Sequence, residues 1–170
     1  EHAKAALESG ANVLCEKPFT IDPAHAWELD DLAKSLNREL ILSFGWNYRP
    51  LGVSAKNLME EHGVGKVQHI MVAMGSGTRE LLKATGDYEG AAADFMPDWD
   101  TWTDPRLSGG GYAPAQLSHA MGLALWLTND RASQVFAFMN NEDARVDLHD
   151  AISIRYDSGA TGTLSGASTP

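Results

Sequence analysis

Apolar residues fall at helical spacing over residues 1–9, with Ala3, Ala6 and Leu7 on one face, and Gly10 is the expected stop, since glycine adopts left-handed backbone cheaply. Asn12 to Cys15 is a short apolar run that predicts a strand with Cys15 in the core. The helical period returns from Pro23 to Asn37, with Ala26, Leu29, Leu32, Ala33 and Leu36 on one side. Asp22 is its expected N-cap and Pro23 its first residue. Leu40 to Phe44 is continuously apolar, as for a strand covered on both faces. Strand, helix and strand in that order imply parallel pairing through a right-handed crossover.

From Trp46 the pattern changes. Leu51 to His62 predicts a helix, Val67 to Gly75 a strand, and residues 76–108 a long irregular segment. That segment holds Tyr88, Phe95, Trp99 and Trp102 among several acids. Loops of such length in compact domains are usually functional or disordered, so these rings either cover a cleft and stack on a sugar-like ring or pin the loop to the core. Gly109-Gly110-Gly111 permits a close backbone approach, and Ala113 to Leu127 then reads as a helix with Leu117, Met121, Ala124 and Leu125 inward. Gln134 to Met139, Asp150 to Asp157 and Thr161 to Ser165 predict strands, the last two joined as a hairpin at Ser158-Gly159. Ile152, Ile154 and Tyr156 should face the helices; Ser153, Arg155 and the threonines, mixed with Val135 and Ala137, should form the open face.

Composition narrows the function. A chain of 170 residues buries a real core. Its 13 Lys+Arg against 23 Asp+Glu give a net charge of -10, which repels phosphate backbones and argues against nucleic acid as partner. No apolar run reaches the length of a membrane span. One cysteine makes no internal disulfide, and no Cys/His cluster has metal-site spacing, so no metal is expected.

Chemistry concentrates where the first strand ends. Lys17 follows Val13-Leu14-Cys15-Glu16 and precedes Pro18, which places it at the carboxyl end of a strand in a parallel sheet, where such folds bind ligands. The following proline restricts its backbone, although the same spacing suits a surface lysine in an ordinary loop. His119 and Gln116 lie on the helix after the glycine triplet, and Arg49 follows a strand end and precedes Pro50, where a surface ion pair is an equal alternative to substrate binding.

His2, Ala6-Leu7, Gly10 and Val13-Leu14-Cys15-Glu16-Lys17-Pro18 resemble the glucose-fructose oxidoreductase/inositol dehydrogenase (Gfo/Idh/MocA) family. The resemblance extends through Arg49-Pro50, Gly63-Val64-Gly65-Lys66-Val67, and Gly109-Gly110-Gly111 followed by a helix bearing His119. It implies an α/β chain in which residues 1–45 are the C-terminal part of a Rossmann-like parallel sheet. Residues 46–170 are then a substrate-binding α+β domain with a mainly antiparallel sheet. Gly63-Val64-Gly65 and Gly75-Ser76-Gly77 do not match the glycine fingerprint that cradles a dinucleotide pyrophosphate, so the chain is expected to be a fragment lacking that motif and its own C-terminal end. Cytoplasmic localisation is the corresponding expectation.

By the same resemblance the cofactor is NAD or NADP, with Glu16, Lys17 and Pro18 near it, and the substrate is a sugar, polyol or related compound. Lys17 and His119 would be catalytic, and Gln116, Arg49 and Trp102 would contact substrate. The family usually carries an Asp one helical turn before the histidine, and this chain has Ala115 there, with Gln116 the nearest polar residue. The departure leaves open a non-catalytic sugar-binding or regulatory relative, and a redox-neutral epimerase or glycosidase that uses NAD transiently. The open sheet face is expected to join subunits of a homo-oligomer.

Overall fold

The computed structural model describes residues 1–85 and 98–170, which divide into two units, Glu1–Phe44 and Gly45–Pro170. Tyr88 and Phe95, two of the aromatics expected over a cleft, lie outside the described residues.

In the first unit α1 (His2–Glu8) buries Leu7 completely and closes at Ser9, with Gly10 at φ 91°. β1 (Val13–Cys15) is followed by α2 (Pro23–Ser35), whose first turn is held by Asp22 Oδ1 accepting the Ala24 N–H at 2.9 Å. β2 (Leu40–Leu42) then pairs parallel to β1, with Val13 opposite Leu40 and Cys15 opposite Leu42, as the crossover rule requires. The strands are not covered on both faces. Leu14 and Ile41, paired neighbours, are 71% and 44% exposed among the described residues. Cys15 is half-buried rather than in the core, and its thiol donates to the Glu16 carbonyl.

The second unit opens with a 3-10 turn, Gly45–Tyr48, and α3 (Pro50–His62). β3 (His69–Gly77) follows. The described residues of the segment expected to be irregular form three short helices instead: α4 (Arg79–Lys83), α5 (Trp99–Thr103) and α6 (Pro105–Ser108). The last two are nucleated by side-chain caps, Asp98 accepting the Asp100 N–H at 3.2 Å and Asp104 the Arg106 N–H at 2.9 Å. The helix after the glycine triplet begins as a π-helical turn, Ala113–Leu117, and continues as α7 (Ser118–Thr128), which ends at Asn129 in left-handed backbone.

β4 (Ala132–Asn140), β5 (His149–Tyr156) and β6 (Thr161–Thr169) complete a four-stranded sheet of order β3-β6-β5-β4. Only β3 and β6 run parallel. The inner face presents Val72, Leu164, Ile152 and Ile154 to the helices, and Tyr112, Leu117, Ala120 and Leu148 close the core over them. Gly166 makes room for this: a Cβ there would lie 2.6 Å from Tyr112 Cε1 and 2.8 Å from both Leu117 methyls.

The face assignment of β4 is corrected by its register. Val135 pairs with Ile154 and Ala137 with Ile152, so both lie on the inner face, and the open face carries Phe136 opposite Ser153 and Phe138 opposite Ala151. No helix among the described residues is long and apolar enough to cross a membrane.

Candidate functional site

Each unit carries its own part of the candidate chemistry. Lys17 follows β1 after one residue, Glu16, and the strand's end is fixed to β2 by the Ser43 N–H donating to the Cys15 carbonyl at 2.9 Å. The side chain is half-buried, and its ammonium is held below the usual lysine range mainly by burial, with the Glu16 charge opposing. Glu16 and Pro18 are exposed, the Lys17 N–H donates to Glu16 Oε2 at 3.3 Å, and the Lys17-Pro18 peptide is cis. A partly desolvated cation at the carboxyl end of a parallel strand fits the neighbourhood of a dinucleotide's reactive end. Pyrophosphate would need the glycine fingerprint, which is not among residues 1–44.

In the second unit His119 sits in the first turn of α7, half-buried, with its ring stacked on the Trp46 indole at 5.4 Å between centroids and 14° between planes. Trp46 belongs to the 3-10 turn, against which α3 packs so closely that a Cβ on Gly52 would meet the Trp46 carbonyl at 2.7 Å. Asn47, the next residue, is buried, and its Oδ1 has no hydrogen-bond partner among the described residues. Gln116 is half-buried in the π-helical turn, while Ala115 is packed inward. Position 115, where the resembled family usually has an acid, is thus a core position of this chain.

The close backbone approach that the glycine triplet permits is made by another part of the chain. The main chain of Asp147 passes so near Gly111 that a Cβ there would lie 2.2 Å from the Asp147 carbonyl oxygen. That carbonyl accepts the Tyr112 N–H at 2.9 Å, and the Asp147 carboxylate accepts the Gly111 and Ala113 N–H groups at 2.6 and 2.7 Å. The same loop is tied through Arg145 to Asp104 at 3.8 Å. Asp104 is held at about 2 by its hydrogen bonds from Arg106, with both arginine charges helping.

Of the other expected contacts, Trp102 is half-buried and packs against the hydrophobic core, and Arg49 is exposed at the N-cap of α3. A shallow groove of ≈ 430 Å³ lies on the sheet, bordered by His69, Gln134, Phe136, Ser153, Arg155 and Thr161. These belong to the open face, away from Gln116 and His119. Among the described residues no group of three or more His, Cys, Asp or Glu could hold a metal. Sequence reasoning missed Trp46, Asn47 and Asp147: the partners of Trp46 and Asp147, His119 and residues 111–113, are distant in the chain, and the one available signal was that Trp46 and Asn47 stand close to the recognised Arg49-Pro50.

Residues 53–169 match the GFO/IDH/MocA C-terminal domain, and residues 1–44 match the model described as oxidoreductase family, NAD-binding Rossmann fold. D-glucoside 3-dehydrogenase of Escherichia coli (strain K12) is 31% identical over 111 residues, covering 65% of this chain and 27% of the relative. The aldose-aldose oxidoreductase from Caulobacter crescentus, complexed with glycerol, superposes with a TM-score of 0.74 at 20% identity, over 98% of this chain and 46% of that one. An inositol dehydrogenase homolog from Azotobacter vinelandii, complexed with NADH and myo-inositol, gives 0.73 at 19% identity over 98% and 40%. Both likenesses show the shared fold, and the chain spans less than half the length of each of these relatives.

Proposed function

The chain belongs to the GFO/IDH/MocA oxidoreductase family, and from that premise we propose that the whole protein transfers hydride between NAD or NADP and a hydroxyl-bearing carbon of a sugar, polyol or related compound. The observation that carries the reading is the half-buried, partly desolvated Lys17 ammonium at the carboxyl end of β1, in the unit that matches the nucleotide-binding model. Sugar-like substrates are supported by the D-glucoside 3-dehydrogenase relative.

A bound nicotinamide supplies the two-electron acceptor or donor. In alcohol oxidation His119 takes the hydroxyl proton, since an imidazole titrates near working pH. Lys17 acts through its cationic hydrogen-bond donor, which stabilises developing negative charge. Trp46, stacked on the imidazole, holds the orientation of its plane, so that the protonated form remains oriented. Gln116, three residues before His119, binds a neighbouring hydroxyl; Arg49 and Trp102 are the further substrate contacts, and Glu16 and Pro18 flank the cofactor with Lys17. Residues 1–45 serve as the nucleotide side and 46–170 as the substrate side, with subunits joined through the open sheet face.

The test is to follow nicotinamide absorbance in the whole protein with NAD and NADP against sugars and polyols. Lys17→Met and His119→Asn should each lower kcat by about a hundredfold or more. Bound cofactor with no turnover on any such compound overturns the dehydrogenase reading, and product without net reduced cofactor makes the reaction redox-neutral.

A further inference from the structure

We propose that Asp147 and Asp150 form a carboxyl pair sharing one proton, in which Asp147 is the anion that grips the start of the helix bearing Gln116 and His119 and Asp150 is the neutral acid behind it. Asp147 alone receives three consecutive backbone donors, those of Gly111, Tyr112 and Ala113. Pro114 has no N–H, and the next amide, that of Ala115, returns to the Gly111 carbonyl at 3.1 Å. The otherwise orphaned donors at this helix start are therefore satisfied by one residue from the loop before β5.

Asp150 lies three residues on, on the inner face of β5 between Met139 and Gly166, and is only 3% exposed. Neither of its oxygens accepts a hydrogen bond from a described residue. An ionised carboxylate in that position would have no donor and would face the Asp147 charge, which is a costly arrangement. As the acid, Asp150 instead has a proton to donate to Asp147. Burial first, and then Asp147, push its carboxyl up to about 7; His149, the other charge acting on it, pulls the opposite way but is itself bonded to Glu142 at 2.9 Å. Two carboxyls with separated roles are a known result of such crowding.

The sign follows directly. The folded value lies above the ordinary 3.8, so the contribution of Asp150 to stability is complete below that pH and declines as pH rises through about 7. Above it the loss is constant. Asp147 and Asp150 are positioning residues, and their bearing on His119 rests on the hydride-transfer reading, whereas the pair itself does not.

The experiment uses the whole protein and its Asp150→Asn and Asp147→Asn variants, with thermal unfolding from pH 4 to 8.5 and hydrogen exchange at Gly111 and Ala113. Asp150→Asn, which keeps a neutral donor, should unfold at a higher temperature than wild type at pH 8, lose the decline between pH 4 and 7, and retain amide protection. Asp147→Asn should lose roughly tenfold in protection at those amides and lower kcat with KM little changed. An unchanged pH slope in Asp150→Asn, or lower stability at pH 8, overturns the pair; if Asp147→Asn does not fold, that arm decides alone. Should these readouts move as expected while no nicotinamide turnover is found, the pair stands and the hydride-transfer reading falls.

Discussion

The Trp46 indole lies against the His119 imidazole with 5.4 Å between ring centroids and the planes 14° from parallel. Trp46 comes from a 3-10 turn and His119 from the first turn of α7, so the contact fixes both the position of the helix start and the plane of the imidazole. Aromatic pairs contribute about 0.5–1.5 kcal/mol beyond area burial. Trp46→Leu should therefore lower kcat by roughly threefold to tenfold, with unfolding two-state and substrate KM little changed. Trp46→Phe should recover most of the loss. Steady-state kinetics alongside a melting curve checks it, and equal kcat in Trp46→Leu and wild type would deprive the stack of a functional role.

Gly111 and Gly63 separate crowding from backbone strain. Gly63 has φ 70° with nothing within 4 Å of a built Cβ, so Gly63→Ala should cost about 1 kcal/mol. Gly111 has Asp147 atoms at 2.2 and 2.9 Å, all main chain, which cannot swing aside. Gly111→Ala should cost about 3 kcal/mol or more and disturb the helix start. Urea unfolding of the two variants measures the difference, and equal losses would show that the loop before β5 yields.

Acid unfolding should be governed in part by Glu142. Hydrogen bonds from Arg79 and then His149 hold its carboxyl at about 2, below the ordinary 4.5. The group's folded value is depressed, so its contribution is present above about 4.5 and is lost as pH falls towards about 2. Glu142→Gln should flatten the fall of the urea midpoint across that window. Flattening will be incomplete, because Asp104, bonded to Arg106, also titrates at about 2 and acts in the same direction. A fall as steep in the variant as in wild type would remove Glu142 from the acid response.

Much of this was legible because its causes are local. Gly10, Asp22 and Pro23 act within one helical turn of themselves, and the structure shows the cap and stop they predict. β4 was misread for a physical reason: Val135, Phe136, Ala137, Phe138 and Met139 are apolar on both sides, so no alternation marks its inner face and only pairing with β5 decides it. The short helices α5 and α6 were hidden because each is about one turn long, too short for a hydrophobic period, and their caps Asp98 and Asp104 emerged only with the structure. The reason for the glycine triplet lay in Asp147, far along the chain, and the stacking of Trp46 on His119 is equally non-local. Neither contact leaves a spacing that a single sequence displays.

The open sheet face yields the last prediction. In rows across the strands it carries His69, Thr161, Arg155 and Gln134, then Met71, Thr163, Ser153 and Phe136, then Ala73, Ser165, Ala151 and Phe138. Met71 and Phe138 are 78% and 73% exposed, and the Phe136 and Phe138 rings meet edge to face at 4.9 Å. Met71 on β3 and the phenylalanine pair on β4 flank the polar residues of β5 and β6, and exposed large apolar side chains of this kind are expected of a surface that is covered in use. A two-fold dimer would place each Phe138 near its own counterpart or a facing row, so one substitution acts twice. Phe138→Asp should therefore convert an associated protein to monomer at tens of micromolar, as measured by light scattering, without lowering the melting temperature of the isolated subunit. Arg155→Glu, on the polar border, should weaken association less, because rim charges chiefly affect encounter. A wild-type protein that is monomeric at that concentration, or a dimer that survives Phe138→Asp, would show that this face does not join subunits.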